Sequence, residues 1–283
     1  MTLLSKKIDF VVIFKVKSAN PNGDPLNENM PRTLADGIGE VTDVCIKRKI
    51  RNRLLDMNKD IFVQSDDYKK DKYSSLQERA NKEIGEISKT SDFSTKACEK
   101  WMDVRAFGQV FAYEKGSSIG IRGPVTIRTA FSKEPIIVIS DQITKSVNGK
   151  SNKKGNDSDD EGMASDRMGM KHWIREAIYV FYGAMNPQLA EKTAFTDEDA
   201  KDIKDVLPKL FEKDASSARP EGSMEILKVI WFEHNSPAGQ YSSAKVHGSI
   251  KIDNSGNIEN EKDLENGTVE SIKGLKAEII QGW

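Results

Sequence analysis

The sequence predicts an α+β fold: one antiparallel sheet, helices packed on it, and long insertions between the elements. Three observations lead there. Residues 8–17 (IDFVVIFKVK) alternate, with Ile8, Phe10, Val12, Phe14 and Val16 sharing one face, and so read as a strand. Residues from about 43 to 57 instead repeat at helical spacing, with Ile46, Ile50 and Leu54 forming a narrow stripe. Further strand-like and helix-like stretches follow in the order β-α-β-β-α-β, interrupted by polar or charged segments.

The elements are justified in turn. After the first strand, Asn20-Pro21-Asn22-Gly23-Asp24-Pro25 and Pro31-Arg32 make a turn-rich loop, and Thr42 or Asp43 can cap the helix by accepting a backbone N–H. Residues 58–115 are charged, poor in strand formers, and read as a helical insertion centred on 75–89. Residues 119–128 alternate again, with Pro124 suited to an edge or bulge, and 135–140 (PIIVIS) read as a third strand. Lys145 to Gly162 is almost devoid of apolar residues and cannot pack by itself. Ile174, Ile178, Phe181, Tyr182 and Met185 recur at helical spacing, predicting a helix over 171–185. Thr196 with Asp199 resembles a capping box, opening a helix that Pro208 should interrupt or restart. Residues 224–232 (MEILKVIWF) read as a buried strand, and 241–283 as a C-terminal extension with a hairpin turning at Asn254-Ser255-Gly256-Asn257. Without the insertions the order is ferredoxin-like, with right-handed crossovers placing both helices on one sheet face. A single domain over 1–283, carrying insertions at 58–115 and 144–170, is expected.

Composition limits the function. The 283 residues are 37% hydrophobic and 31% charged, enough for a core, and the net charge of −1 hides an uneven distribution. Only Cys45 and Cys98 occur, with no CxxC pair, so neither a disulfide framework nor a zinc cluster is supported. No apolar run approaches the roughly 20 residues of a membrane span, and the start of the chain lacks a signal-peptide pattern. A cytoplasmic protein without a cofactor is expected.

The basic helix carries the chemistry. Five of the seven residues from 47 to 53 are Lys or Arg. The i,i+4 pairs Lys47/Arg51 and Lys49/Arg53 are like-charged, each costing roughly 0.2–0.5 kcal/mol in an isolated helix. Lys47, Arg48 and Arg51 lie on one flank of the apolar stripe, Lys49 and Arg53 on the other. Such a run can be a solvated face, or it can meet a polyanion that offsets the repulsion. The loop before it, small and polar with exposed amides, suits phosphate contact.

These motifs together resemble one family, the backbone subunit of type I-C CRISPR effector complexes, the Cascade-type antiviral surveillance particles. The resembling residues are Asn20 to Pro25, Pro31-Arg32-Thr33, Val41 to Asn52, Asp103-Val104-Arg105-Ala106-Phe107-Gly108, Arg122-Gly123-Pro124-Val125, Ile143-Thr144, Asp166 to His172, and Ser217-Ala218-Arg219. The resemblance implies a non-enzymatic protein with an RNA-recognition-motif-like palm, a helical finger insertion and a projecting thumb. It implies several copies polymerised along the spacer of a CRISPR guide RNA. Further implied partners are a target DNA strand, a subunit that binds or processes the repeat end, and a large subunit. The thumb would displace a nucleotide at intervals, leaving short base segments free for pairing. On this reading Lys47, Arg48 and Arg51 hold phosphates, Asn20, Asn22 and Thr42 reach sugars or phosphates, and Arg32 closes the loop. Arg167, Lys171 and His172 make a second cluster, with Met168 as an apolar wedge or, alternatively, a core residue. Sequence would be read by base pairing, as in RNA-guided effectors generally.

Two other functions compete. An endoribonuclease processing CRISPR repeat RNA would need an acid and a base beside the strand, and His172, His234 and His247 stand in no paired motif. A structural protein that assembles without nucleic acid would leave the basic helix unexplained.

Overall fold

The computed structural model describes residues 2–86, 92–114, 117–145 and 167–283. Strand β1 (Ile8–Ala19) is the axis of a large antiparallel sheet. Two short strands, β2 (Gly23–Asp24) and β3 (Met30–Pro31), pair with each other, and β4 (Ile38–Val41) then leads into helix α1 (Asp43–Asp56). The insertion holds α2 (Leu76–Glu83), α3 (Phe93–Lys100), α4 (Met102–Phe107) and a hairpin of β5 (Gly108–Glu114) with β6 (Ser117–Arg122). The chain re-enters the sheet through β7 (Val125–Ile127), β8 (Ala130–Pro135), β9 (Val138–Lys145) and β10 (Arg167–Met185). Helices α5 (Pro187–Thr193) and α6 (Asp197–Val206) follow, then β11 (Met224–Glu233), α7 (Ser243–Gly248), α8 (Glu261–Asn266) and β12 (Ala277–Gln281).

The sheet order is β12-β11-β1-β10-β8-β4, and every described pairing in it is antiparallel. Along one edge of the long β10, three strands succeed one another: β9 beside 167–174, β8 beside 179–180 and β7 beside 183–185. On its other edge β1 runs from Ile8 opposite Met185 to Ala19 opposite Ile174 and stops. From Arg167 to Trp173, β10 therefore leaves β1 behind and continues with β9 as a two-stranded arm. Most of 144–170, the expected thumb, lies outside the described residues.

Both faces of the sheet are covered. Phe10, Val12, Phe14 and Val16 of β1 pack under α1, α5 and α6, together with Tyr179, Phe181 and Met185. Val11 and Ile13 face the opposite way with Ile178 and Val180, against Val246, Leu264, Ile272 and Leu275 of the C-terminal segment. This explains a corrected expectation. Residues 171–185 form a strand, not a helix, because a strand buried on both faces loses its polar alternation and mimics helical spacing. The β-branched and aromatic run Ile178-Tyr179-Val180-Phe181-Tyr182 was the contrary signal.

Other expectations are corrected locally. PIIVIS is not one strand: β8 ends at Pro135 and β9 begins at Val138. The alternating 119–128 stretch splits at Gly123-Pro124, with Ile119 and Ile121 packing in the insertion and Val125 and Ile127 in the main core. Gly123 has no space for a side chain, since a Cβ there would lie 2.2 Å from the Ala106 carbonyl oxygen. The C-terminal hairpin shrinks to one bridge, Ile252 to Ile258, around a turn in which Asp253 accepts from Ser255 and Asn257 backbone N–H groups. The Ser242 hydroxyl caps α7 instead, accepting from Lys245 N–H, so the preceding residues coil rather than extend. The Thr196–Asp199 capping box is present, and Pro208 sits in a 3-10 turn that follows α6 directly.

The insertion has its own small core of Phe62, Phe93, Trp101, Val104 and Phe111. It is bolted to the sheet layer by ions: Arg105 grips Asp199 of the capping box through two bonds, 2.9 and 2.6 Å. The C-terminal layer is bolted from the other face. Asp9, fully buried in β1, accepts from His234 Nε2 at 2.9 Å and pairs with Lys7 at 3.1 Å. His234 Nδ1 in turn accepts the Gln240 N–H at 2.9 Å, which fixes its tautomer. His247 of α7 donates from Nε2 to the Gly183 carbonyl at 3.2 Å, with Asp9 3.6 Å away.

Burial alone would raise the Asp9 carboxyl, but hydrogen bonds from His234 and Ser243 and the charge of Lys7 hold it below the usual carboxylate range. Burial holds the His247 imidazole below its ordinary value, against the opposing pull of Asp9 and the Gly183 carbonyl. A histidine depressed in the folded state is protonated first in the unfolded chain. Stability owed to neutral His247 is complete above the unfolded pKa of about 6.5 and is lost as pH falls toward the folded value. The Asp9 contribution is lost only below the unfolded carboxylate value of about 3.9. The thermal midpoint, followed by circular dichroism, is therefore expected to fall from about pH 7 to about pH 5, and His247→Gln should flatten that fall.

Candidate nucleic-acid interface

The N-terminal loop is built by its own polar side chains. The Asn22 Oδ1 accepts from both the backbone N–H and the hydroxyl of Thr42, at 3.0 and 2.9 Å. Thr42 caps α1, its hydroxyl accepting from Cys45 N–H. Asn20 is buried and donates from Nδ2 to the Asn29 carbonyl at 2.7 Å. Arg32 donates its backbone N–H to the Asn22 carbonyl and lies 3.3 Å from Asp24. Gly23 is required in this knot, because a Cβ there would fall 2.0 Å from Asn29 Oδ1. Asn20, Asn22, Arg32 and Thr42 are thus brought together, and much of their bonding capacity holds the loop to the start of α1. Asn20 Oδ1 and Arg32 Nε are buried without a hydrogen-bond partner among the described residues.

Helix α1 buries Ile46, Ile50 and Leu54 as its stripe predicts. Its five cations all meet protein carboxylates, two at i,i+4 and i,i+3 spacing within the helix and three far along the chain. Lys47 pairs with Asp43 one turn away, at 2.8 Å, and Arg48 with Asp67 at 3.2 Å. Lys49 pairs with Asp214, Arg51 with Asp103 at 2.8 Å and Arg53 with Asp56 at 3.0 Å. Lys49, Arg51 and Arg53 are buried or nearly so, whereas Arg48 is 58% exposed and Lys47 partly exposed.

Arg51 is turned inward. Its guanidinium stacks on the Phe107 ring at 5.1 Å and holds the fully buried Asp103, which also accepts the Phe62 and Val63 N–H groups at 2.6 and 3.1 Å. It joins α1 to the insertion and faces away from solvent. The repulsion along the helix is offset by Asp43 and Asp56 within it and by Asp67, Asp103 and Asp214, which are remote in sequence and adjacent in space. Lys49 shows the cost of burial, which draws its ammonium below the ordinary lysine value despite the Asp214 partner.

The second predicted cluster sits on the arm. Met168 opposes Thr144, Lys171 opposes Asp141 and His172 opposes Ser140 on β9. Arg167 has only its backbone place, opposite Lys145. Met168 is 72% exposed, so the alternative of a core methionine is excluded, and Met170 and Ile143 are also exposed. His172 is buried, its Nδ1 2.8 Å from the Ser140 hydroxyl, while Nε2 has no hydrogen-bond partner among the described residues. The arm leaves the sheet where β1 ends, next to Asn20, so the loop and arm share one end of the sheet. Trp101 and Trp231 are core residues, and Trp173 donates to Asp141 at 2.6 Å along the arm.

No group of three or more metal-binding side chains is gathered among the described residues. Both cysteines are free, and burial pushes the Cys98 thiol up to about 11. No described helix is long and apolar enough to cross a membrane.

The family model for CRISPR-associated protein Cas7 matches residues 6–272. The chain belongs to the Cas7 family. It is similar to a CRISPR-associated protein Cas7 of Haloferax volcanii, 25% identical over 224 residues, which are 71% of this chain and 62% of that protein. This chain therefore spans less than two thirds of that relative. Among solved structures, it is similar in fold to a chain of a CRISPR RNA-guided surveillance complex in a pre-nicking state. The TM-score is 0.50 at 14% identity, covering 80% of this Cas7 chain and 78% of that one.

Arg51 and Thr42 test these assignments by stability. Arg51→Ala strands the buried Asp103 and is expected to cost about 3 kcal/mol, whereas Thr42→Ala removes one cap and costs about 1 kcal/mol. Urea unfolding midpoints check both.

Proposed function

We propose that this Cas7 protein is a non-catalytic backbone subunit of a CRISPR surveillance complex, of the type I-C kind, that lines up in several copies along the guide RNA spacer. It holds the sugar–phosphate chain and leaves base edges free to pair with a target DNA strand. The observation that carries this reading, beside the family match, is the joining of three features at one end of the sheet. These are the Asn20–Arg32 loop, the exposed Lys47–Arg48 face of α1, and the arm that carries Met168 and Lys171. We read β11-β1-β10-β8, with α1 and α6 on one face, as an RNA-recognition-motif-like palm. In such a palm the open sheet face would stack bases, but here residues 243–283 close that face. Backbone contact from the sheet end is the mode left open, which suits a subunit that must accept any guide sequence.

In this role 58–115 is the finger, 144–170 the thumb and 241–283 the extension that seals the sheet. Other complex subunits would meet the filament at its two ends. The endoribonuclease alternative finds little support. His234 and His247 are buried in the Asp9 network, with both nitrogens of His234 occupied, and His172 is turned inward on Ser140. None presents an acid–base pair to solvent.

The test is binding to single-stranded RNA by fluorescence anisotropy across a salt series. The slope of log K against log salt should be about −0.7 for each phosphate neutralised. Lys47→Glu with Arg48→Glu should flatten it and prevent RNA-dependent assembly in electron micrographs, with the far-ultraviolet spectrum unchanged. Unaltered assembly by that double variant would remove α1 from the interface.

A further inference from the structure

A cavity of about 260 Å³ opens between the loop at Pro21–Gly23, helix α1 and residues 213–219. Arg48, Lys49, Lys213 and Arg219 bring four cations to its wall, and Asp67 and Asp214 bring two carboxylates. The third wall, 213–219, was not among the expected contact residues. We propose that it is a phosphate cradle, with Lys213 and Arg219 as contacts for an RNA phosphodiester. This rests on the guide-RNA reading above and adds the residues through which the strand is gripped beyond α1.

The wall is set in place before any ligand arrives. Ser216 and Arg219 close a tight turn, N–H to carbonyl in both directions at 2.8 and 3.0 Å. The Ala218 carbonyl within that turn accepts the Asn20 N–H at 2.8 Å, tying it to the end of β1. Lys213 holds a positive φ of 55°, a sparsely populated conformation for a residue with a side chain. Its carbonyl is fixed there by the Tyr68 hydroxyl, which donates at 2.5 Å and itself accepts from Arg53 at 3.1 Å. The Tyr68 hydroxyl, held in turn by the buried Arg53, therefore braces an unfavourable backbone angle, and that angle carries a lysine that is 74% exposed. The nearest carboxylate to its ammonium, Asp56, is 3.9 Å away.

Arg219 is held differently. Asp214 engages its Nε at 3.2 Å while also pairing with Lys49. One carboxylate thus stands between two cations, and the pair through Nε does not use the terminal nitrogens of the guanidinium. A fork held by one edge presents planar donors for two phosphate oxygens, the geometry in which arginine exceeds lysine. Arg48 completes the rim, since its bond to Asp67 joins two side chains that are both more than half exposed and is easily exchanged. The excess of cations over carboxylates favours an anion.

A larger groove, about 980 Å³ between α6 and β11–β12, offers no such excess. There Lys6, Lys201 and Lys204 are each paired with an acid, Glu233, Asp205 and Glu278.

The experiment uses the full chain and a fluorescein-labelled uridine oligomer of RNA, with inorganic phosphate as competitor. Lys213→Ala is expected to weaken binding about tenfold at low salt and to lower the salt slope by about 0.7. Arg219→Lys should keep the slope yet lose affinity, because the charge remains and the fork does not. Millimolar inorganic phosphate should leave the RNA complex intact, whereas displacement at that concentration would make the cavity a free-anion site and overturn the proposal. Wild-type affinity and slope in Lys213→Ala, with binding lost in Lys47→Glu/Arg48→Glu, would also overturn the cradle while leaving the guide-RNA reading standing. Absence of salt-dependent binding by the unsubstituted chain would remove both. Lys213 is exposed and its backbone angle is held by Tyr68, so its truncation tests contact rather than folding.

Discussion

The ladder between β1 and β10 is the constraint on which the rest of the molecule depends. It places Phe10, Val12, Phe14, Tyr179 and Phe181 in one core, and Val11, Ile13, Ile178 and Val180 in another. Because both faces of these strands are covered, a register slip of one residue would exchange the two cores and strand Asp9 among the helices. The same ladder fixes the end of the sheet where the proposed interface lies. β1 stops at Ala19, β10 does not, and the unequal lengths create both the loop that starts at Asn20 and the arm that carries Met168.

Charge organises what packing leaves undecided. Three cations of α1 are spent on architecture: Arg51 fastens the insertion, Lys49 fastens the 213–219 segment through Asp214, and Arg53 with Tyr68 braces the Lys213 backbone. A buried pair of this kind adds little net stability relative to an apolar contact, but breaking it is expensive. It therefore specifies where the insertion and the 213–219 loop must sit. Lys47 and Arg48 differ because their pairs face water, where the partners exchange at small cost.

The sequence was legible where a single buried side left a clear pattern: the stripe Ile46-Ile50-Leu54 and the Thr196–Asp199 box each correspond to an element of the structure. Strand β1 was read from the shared face of Ile8, Phe10, Val12, Phe14 and Val16, although Val11 and Ile13 are buried on its other face as well. Residues 171–185 misled because helical spacing and a doubly buried strand leave the same apolar density, and only the β-branched and aromatic content separates them. The α1 partners were illegible for a different reason. Asp67, Asp103 and Asp214 lie far along the chain, so their neutralising role depends on tertiary placement that no local pattern encodes. The closed sheet face was illegible too, since 241–283 reads as a hairpin extension and no local pattern shows that it covers the sheet.

Pairing every cation of α1 with a carboxylate also bears on how such a subunit would bind. A phosphate arriving at Arg48 must displace Asp67, so one subunit gains less from each contact than an unpaired arginine would give. Modest contacts repeated along a strand become strong when the binding units are held side by side, because each later contact is made at high effective concentration. A lone copy would then discriminate against stray polyanions, while a row of copies would hold a guide firmly. In the proposed filament, partial neutralisation would favour assembly on a continuous strand over capture of short fragments, and it fits a basic helix in a chain whose net charge is only −1.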